Sequence, residues 1–107
     1  EISNKDFLGL VVDYDEVKGE ATIEQRNKFS VGDEIEIFGS NTPVTKFKVE
    51  YIINSDGENV ESASHAQEII KINMPIKVYK DDILRVEIAW QNSHFIVSFF
   101  GSKKEVA

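Results

Sequence analysis

The sequence predicts an all-β fold, a small β-barrel that is either closed or partly open. Apolar and polar residues alternate with a period close to two along most of the chain, turn residues recur at regular spacing, and no segment carries a sustained helical stripe. At 107 residues the chain has room for one domain with one hydrophobic core. Periodicity does not separate a barrel from a sandwich, but closure would leave few open strand edges in so small a chain.

The chain is predicted to begin with a β-hairpin. Residues 7–14 are apolar on both faces, which is typical of a strand that is buried on both sides. Gly19 supplies the backbone freedom that the following turn requires. Residues 21–29 then alternate between apolar and polar side chains and form the second strand.

A tight turn at residues 31–33 is predicted to lead into the next strand. In that strand Ile35 and Ile37 are expected to point inward, and Glu34 and Glu36 outward. The chain thus returns to the core directly after the turn.

The middle of the chain alternates between strands and turns. Residues 44–53 give the clearest strand signal, with Val49 and Ile53 expected on the inward face. Turn and loop composition predicts the remaining elements, which are a loop at 39–43, a turn at 54–57, an edge strand plus loop at 58–66, and a strand at 68–74 that Pro75 ends.

The last part of the chain repeats one earlier pattern and then changes character. Residues 79–86 echo the first turn and strand, with Asp81 in the place of Asp33. Residues 89–107 are rich in aromatic side chains, and the segment 94–100 has the composition of one more strand. That strand would either complete the core or stay exposed and dock onto the parent protein or another copy.

Composition limits the possible functions. The absence of cysteine excludes disulfides, thiol nucleophiles and cysteine-ligated metals. No apolar run is long enough to span a bilayer, and no signal-peptide pattern precedes the first strand, so we expect a cytoplasmic fragment of a longer protein with no membrane contact. A net charge of −7 opposes strong binding to nucleic acid by the chain alone.

No pattern of catalytic or metal-binding residues is convincing. Asp13, Asp15 and Glu24 fit the spacing of a calcium loop, but Lys18 stands where that loop needs glycine. The paired acids are typical of solvated turns, and adjacent residues on a strand point to opposite faces, so no neighbouring pair forms a catalytic dyad. The two histidines lack further ligands at a recognisable spacing. We therefore expect no catalytic residue, no metal and no cofactor in this chain.

Basic residues provide the best candidate binding surface. Two pairs of cations lie two positions apart on predicted strands, at Arg26, Lys28, Lys46 and Lys48. If those strands were neighbours, their outward faces would form a small positive patch on which aromatic rings could stack bases. Glu24 and Glu50 occupy the same rows, so the alternative is a charge-balanced, solvated face.

One run of residues resembles a known family. Residues 25–29, Gln-Arg-Asn-Lys-Phe, are the most specific part of a match that resembles the C-terminal domain of the collagenase-like peptidase family U32. The resemblance extends over residues 5–86, and its supporting segments are 7–11, 13–15, 24–36, 65–72, Pro75 and 81–85.

The resemblance implies a β-barrel similar to the second domain of elongation factor Tu, attached behind a larger catalytic domain. Members of the family were named as peptidases, some acting on collagen. Others are similar to enzymes that hydroxylate transfer or ribosomal RNA with prephenate and an iron–sulfur cluster. The cysteines of that cluster belong to the catalytic domain and this chain has none, so no catalytic residue carries over.

Because no catalytic residue carries over, the resemblance implies that this chain takes part in substrate recognition. Arg26, Asn27 and Lys28 of the motif, together with Lys46 and Lys48, are the predicted substrate-binding residues, although turn geometry alone would also explain Asn27.

Residues 1–88 are then an accessory barrel domain and 89–107 a tail that could dock. The expected partners are the catalytic domain of the same parent and either an RNA or a protein substrate. The alternatives are a purely structural docking domain and a protein-substrate exosite of a peptidase.

Overall fold

A computed structural model describes residues 5–87 of the chain, and side chains for residues 7–86. Within them every regular element is a strand, which confirms the all-β class, and no helix in this range is long and apolar enough to cross a membrane. The predicted strand at 94–100 lies outside the described residues. The strands are β1 Lys5–Asp15, β2 Glu20–Gln25, β3 Phe29–Ser30, β4 Glu34–Gly39, β5 Thr42–Lys48, β6 Ile52–Ile53, β7 Asn59–Val60, β8 Ser62–Ala63, β9 Ile69–Asn73 and β10 Ile83–Glu87.

Eight strands form one antiparallel sheet in the order β5-β4-β10-β1-β2-β9-β6-β7, and β3 pairs with β8 in a second, two-stranded sheet. Within residues 5–87 the large sheet is open, because its end strands β5 and β7 do not pair. Of the two predicted forms, these residues have the partly open one. Strand β7 is two residues long and offers too short a ladder to close the sheet. Similarity to the second domain of elongation factor Tu stays a prediction.

The core lies on the inner face of the large sheet. Strand β1 is not buried on both sides as predicted, and bulges next to Leu8 and Val12 shift its register. Leu8 and Val11 point into the core, whereas Phe7 and Val12 are partly exposed on the opposite, outer face. The fully buried large side chains are Leu8, Val11, Ile23, Gln25, Ile35, Ile37, Val49, Ile52, Ile70, Ile72 and Leu84.

The single strand predicted at residues 44–53 is wrong, because the chain forms two strands with a break between them. Val49 and Ile52 are both fully buried, and strict alternation cannot place residues three positions apart on one face. The break is held by Asn73, whose side-chain amide donates to the carbonyl of Lys48 (2.9 Å) and whose Oδ1 accepts from the amide of Glu50 (2.7 Å). Ile53, predicted to point inward with Val49, is only half-buried.

Three further expectations need correction. The strand predicted at 21–29 ends at Gln25, and Phe29 starts the separate strand β3 after a loop at residues 26–28. Glu36 lies on the outer face of β4 as predicted, but it is buried beneath Arg85 and is 4% exposed. The loop predicted at 39–43 is shorter than expected, because Thr42 already belongs to β5.

The turns at 30–33 and 79–82 have the same hydrogen-bond pattern, but the residues that correspond differ by one position from the prediction. Asp33 and Asp82 each accept a hydrogen bond from the main-chain amide three residues earlier, at 2.8 and 2.9 Å. Gly32 and Asp81 precede them with φ of +97° and +74°. Asp82 therefore corresponds to Asp33, and Asp81 stands at the glycine position, where Asp tolerates positive φ better than most residues.

Replacing Asp82 by alanine should lower the free energy of unfolding by about 1–3 kcal/mol, because the part-buried amide of Tyr79 and the buried hydroxyl of Thr42 would lose their acceptor. The carboxylate also accepts from the Thr42 hydroxyl, and a Cβ at Gly39 would overlap it, so the site is closely packed. Urea unfolding measures the effect, and Asp81→Asn is the matched control that should be close to neutral. Equal stability of Asp82→Ala and the original chain would contradict this assignment.

Candidate functional site

The buried side chain of Gln25 anchors the motif that carries the family resemblance. Gln25 is 1% exposed, and its Nε2 donates to the carbonyls of Ala63 (2.5 Å) and Asn27 (3.4 Å). Its main chain also bonds to the loop that follows β8, since its amide donates to the carbonyl of Glu68 and its carbonyl accepts from the amide of Gln67. One residue thus joins β2, the loop at 26–28, strand β8 and the loop at 64–68.

Asn27 holds the loop at residues 26–28 against the start of β1. Its Nδ2 donates to the carbonyl of Phe7 (2.5 Å), and the amides of Arg26 and Asn27 both donate to the carbonyl of Leu8. The Asn27 side chain fixes this loop, which agrees with the explanation by turn geometry, and its part in substrate binding stays a prediction. Arg26 and Lys28 on either side of it are exposed.

Strand register brings several charged and aromatic side chains into one row on the outer face. Lys46 pairs with Glu36, Glu36 with Arg85, and Arg85 with Phe7, across strands β5, β4, β10 and β1. The Arg26 guanidinium lies over the Phe7 ring, 5.6 Å from its centroid, and extends the row past β1. We call this set of five residues the outer row.

Arg85 is the more firmly held of the two arginines. Its guanidinium stacks over the ring of Phe38 at 3.9 Å from the centroid, and its Nε donates to Oε1 of Glu36 at 2.8 Å. The Arg85 side chain is 21% exposed and that of Glu36 5%. A part-buried pair with this geometry holds β10 against β4, and we assign it a structural role.

Arg26 is held loosely and is open to solvent. Its Nε lies 3.8 Å from Oε2 of Glu24, and its side chain is 39% exposed. Exposed ion pairs of this kind contribute about 0–1 kcal/mol, so an incoming anion can displace Glu24 at little cost. A guanidinium over an accessible ring can bind a phosphate and stack on a base.

The structure brings together only part of the predicted basic patch. Arg26 and Lys28 share one loop, and Lys46 lies at the far end of the outer row. Strands β5 and β2 are not neighbours, because β4, β10 and β1 lie between them, so the four cations do not form the single patch that adjacency would have given. Lys48 lies beside Asn73 near the start of β2, about 20 Å along that strand from Arg26.

Sequence reasoning missed Phe7, Phe38 and Arg85. Alternation along β10 could have shown that Arg85 points away from the core. Its partners on β4 and β1 depend on strand order and on the bulge next to Leu8, which no local pattern predicts.

A second polar cluster lies around the loop at 61–68, beside a cleft of about 190 Å³. Oε2 of Glu68 accepts from the amide (3.0 Å) and the hydroxyl (2.8 Å) of Ser55. These two hydrogen bonds, with a smaller contribution from the charge of His65, hold the pKa of Glu68 below its usual range. No group of three metal-ligating side chains comes together within residues 5–87.

Comparisons with known proteins match most of the chain. Residues 3–85 match the sequence model of the family described as the peptidase family U32 C-terminal domain. The tRNA hydroxylation protein P1 of Bacillus subtilis (strain 168) is 38% identical over 80 residues, which cover 75% of this chain and 19% of that protein. The chain thus spans about a fifth of the length of this relative.

Two crystal structures of the C-terminal domain of a Geobacillus thermoleovorans U32-family protein share the fold. One superimposes with a TM-score of 0.74 at 35% identity and covers 77% of this chain and 92% of the other. Its selenomethionine variant gives 0.72 at 35% identity, covering 75% and 98%. In that protein the domain was crystallised without the rest of its chain.

Gln25→Glu should destabilise the fold by about 3–5 kcal/mol at pH 7, because a buried carboxylate would replace the donor to the Ala63 carbonyl. The penalty should grow as the pH rises above the ordinary pKa of glutamate, since the folded state would favour the protonated acid. Urea unfolding at several pH values measures both effects. Glu24→Gln next to it should change stability by less than about 1 kcal/mol, and equal effects of the two variants would disprove the anchoring role of Gln25.

Glu68 should make the stability depend on pH in the acid range. Because its folded pKa is lowered, its contribution is fully present above the pKa of the unfolded chain, about 4.3, and is lost as the pH falls through the folded value. Acid unfolding of the original chain and of Glu68→Gln, followed by circular dichroism, tests this. The two stability curves should converge at low pH, and a constant separation would contradict the account.

Proposed function

This chain belongs to the peptidase family U32 C-terminal domains, and on that basis we propose that it is a non-catalytic accessory domain through which a larger enzyme holds an RNA substrate. The observation that carries the proposal is its 38% identity to the tRNA hydroxylation protein P1. Because the chain spans only 19% of that relative, the chemistry is assigned to the rest of the parent.

The side chains gathered on the outer face favour binding over catalysis. A guanidinium is a strong partner for anions and aromatic rings and a poor proton donor, so the exposed Arg26 is suited to anion contact and stacking but not to proton transfer. Phe7 offers an accessible ring, 38% exposed, beside the weakly paired guanidinium of Arg26. Proteins that bind single-stranded nucleic acid stack bases on exposed aromatic rings and contact phosphates with cationic side chains. Phe7 and Arg26 provide one of each.

The loop at residues 26–28 is pre-organised for contact. Its main chain is bonded to Leu8 and its Asn27 side chain to Phe7, so little ordering is required when Arg26 and Lys28 bind phosphate. The net charge of −7 implies that the domain contributes a weak, salt-sensitive contact rather than the whole affinity. An RNA substrate would also place the parent protein in the cytoplasm.

An apolar row on the same face supports a second candidate function, docking onto the catalytic domain or onto a protein substrate. Register aligns Phe38, Ile83, Leu10, Glu24 and Ile69 across five strands, and all but Glu24 are apolar. Ile69 is 44% exposed and the other apolar members are half-buried. An apolar sheet face of this kind is typical of a protein contact.

Binding of a labelled transfer RNA to the 107-residue chain at about 50 mM salt tests the RNA assignment. Arg26→Glu should weaken binding by about tenfold and reduce the slope of log Kd against log salt by about one, because one phosphate contact is lost. Lys80→Glu, in the turn before β10, makes the same change of charge away from Phe7 and is the control. Equal affinity of both variants would refute the role of Arg26, and no RNA binding combined with tight association to the catalytic domain would favour docking.

A further inference from the structure

A cleft of about 360 Å³ lies at the opposite end of β2 from Arg26. It is lined by Phe47 and Tyr51, by Lys18 of the β1–β2 hairpin, and by Lys48 at the end of β5. Its volume is within the range of small-ligand sites, about 300–1,000 Å³. We call it the aromatic–lysine cleft.

The walls of this cleft are fixed by buried and bonded polar groups. Asn73 bonds through both ends of its amide to the main chain at Lys48 and Glu50, at 2.9 and 2.7 Å. The Tyr51 hydroxyl donates to Oε1 of Glu20 at 3.1 Å. These hydrogen bonds fix the conformation of residues 49–51 between β5 and β6, which form one side of the cleft.

Two ammonium groups and two aromatic rings line the cleft together, with Glu50 among them. Burial, followed by the hydrogen bond to Glu20, raises the pKa of Tyr51 to about 12, and the negative charges of Glu20 and Glu50 act in the same direction. Because these two carboxylates offset the ammonium groups of Lys18 and Lys48, a phosphate is held by direct contact with the lysines and not by the net charge of the cleft. Aromatic faces beside lysines are the combination that binds a base and its phosphate.

We propose that the aromatic–lysine cleft binds one unpaired nucleotide of the RNA, with its base against Phe47 and Tyr51 and its phosphate on Lys18 and Lys48. The inference rests on the proposed function and extends it, because it adds a second contact about 20 Å along β2 from Arg26. It also gives Lys48 a role in substrate binding at a site separate from the outer row.

Titration of the isotope-labelled chain with uridine 5′-monophosphate, followed by NMR, tests the cleft directly. The amide of Gly19, which lines the cleft, should shift with saturation, and that of Gly57, which belongs to the turn at 54–57 and does not line the cleft, should not. The double variant Lys18→Glu and Lys48→Glu should weaken the binding by at least about tenfold. Lys80→Glu and the same titration with inorganic phosphate are the controls, and phosphate should bind more weakly because it lacks the base.

The outcomes separate this inference from the proposed function. Shifts at residues 26–28 instead of Gly19, or equal binding of phosphate and the nucleotide, would overturn the cleft. Transfer RNA binding that depends on Arg26 but not on Lys18 and Lys48 would overturn the cleft and leave the proposed function intact. Nucleotide binding in the cleft with no transfer RNA binding would support the cleft and refute the proposed function.

Discussion

The buried side chain of Gln25 is the constraint on which the rest of this fold depends. A polar group at 1% exposure needs hydrogen-bond partners, because burying an unpaired polar group is costly. Gln25 reaches the carbonyl of Ala63 in β8 and that of Asn27 in the adjoining loop, so it reinforces the link between the small sheet and the large one. Its Oε1 has no protein partner within residues 5–87.

Because of this constraint, the residues at positions 25–28 have two different roles. Gln25 and Asn27 point toward the fold and hold the backbone, while Arg26 and Lys28 are presented to solvent between them. The outer face therefore carries a guanidinium over Phe7 whose position is set by the backbone and whose charge is only weakly engaged by Glu24. A fixed backbone lowers the entropy cost of binding, and a weakly paired guanidinium can exchange Glu24 for a phosphate. Both properties suit a weak but specific contact.

Local features were predictable from the sequence, whereas features that depend on pairing between distant strands were not. The all-β class and the turn at Gly32 follow from periodicity and turn chemistry. The break between Val49 and Ile52 could not be predicted, because both side chains are buried and strict alternation along one strand cannot bury residues three positions apart. The same holds for Arg85, whose partners follow from strand order, and for Asp82, since two adjacent aspartates leave the register of the turn ambiguous.

The central claim is that the outer face at Phe7 and Arg26 contacts RNA. Photocrosslinking of a transfer RNA carrying 4-thiouridine to the 107-residue chain, with the crosslinked peptides identified by mass spectrometry, tests it most directly. We predict crosslinks at Phe7 and within residues 26–28. Crosslinks that are absent from Phe7 and residues 26–28 and confined to other parts of the chain, for example the turn at 54–57, would contradict the claim.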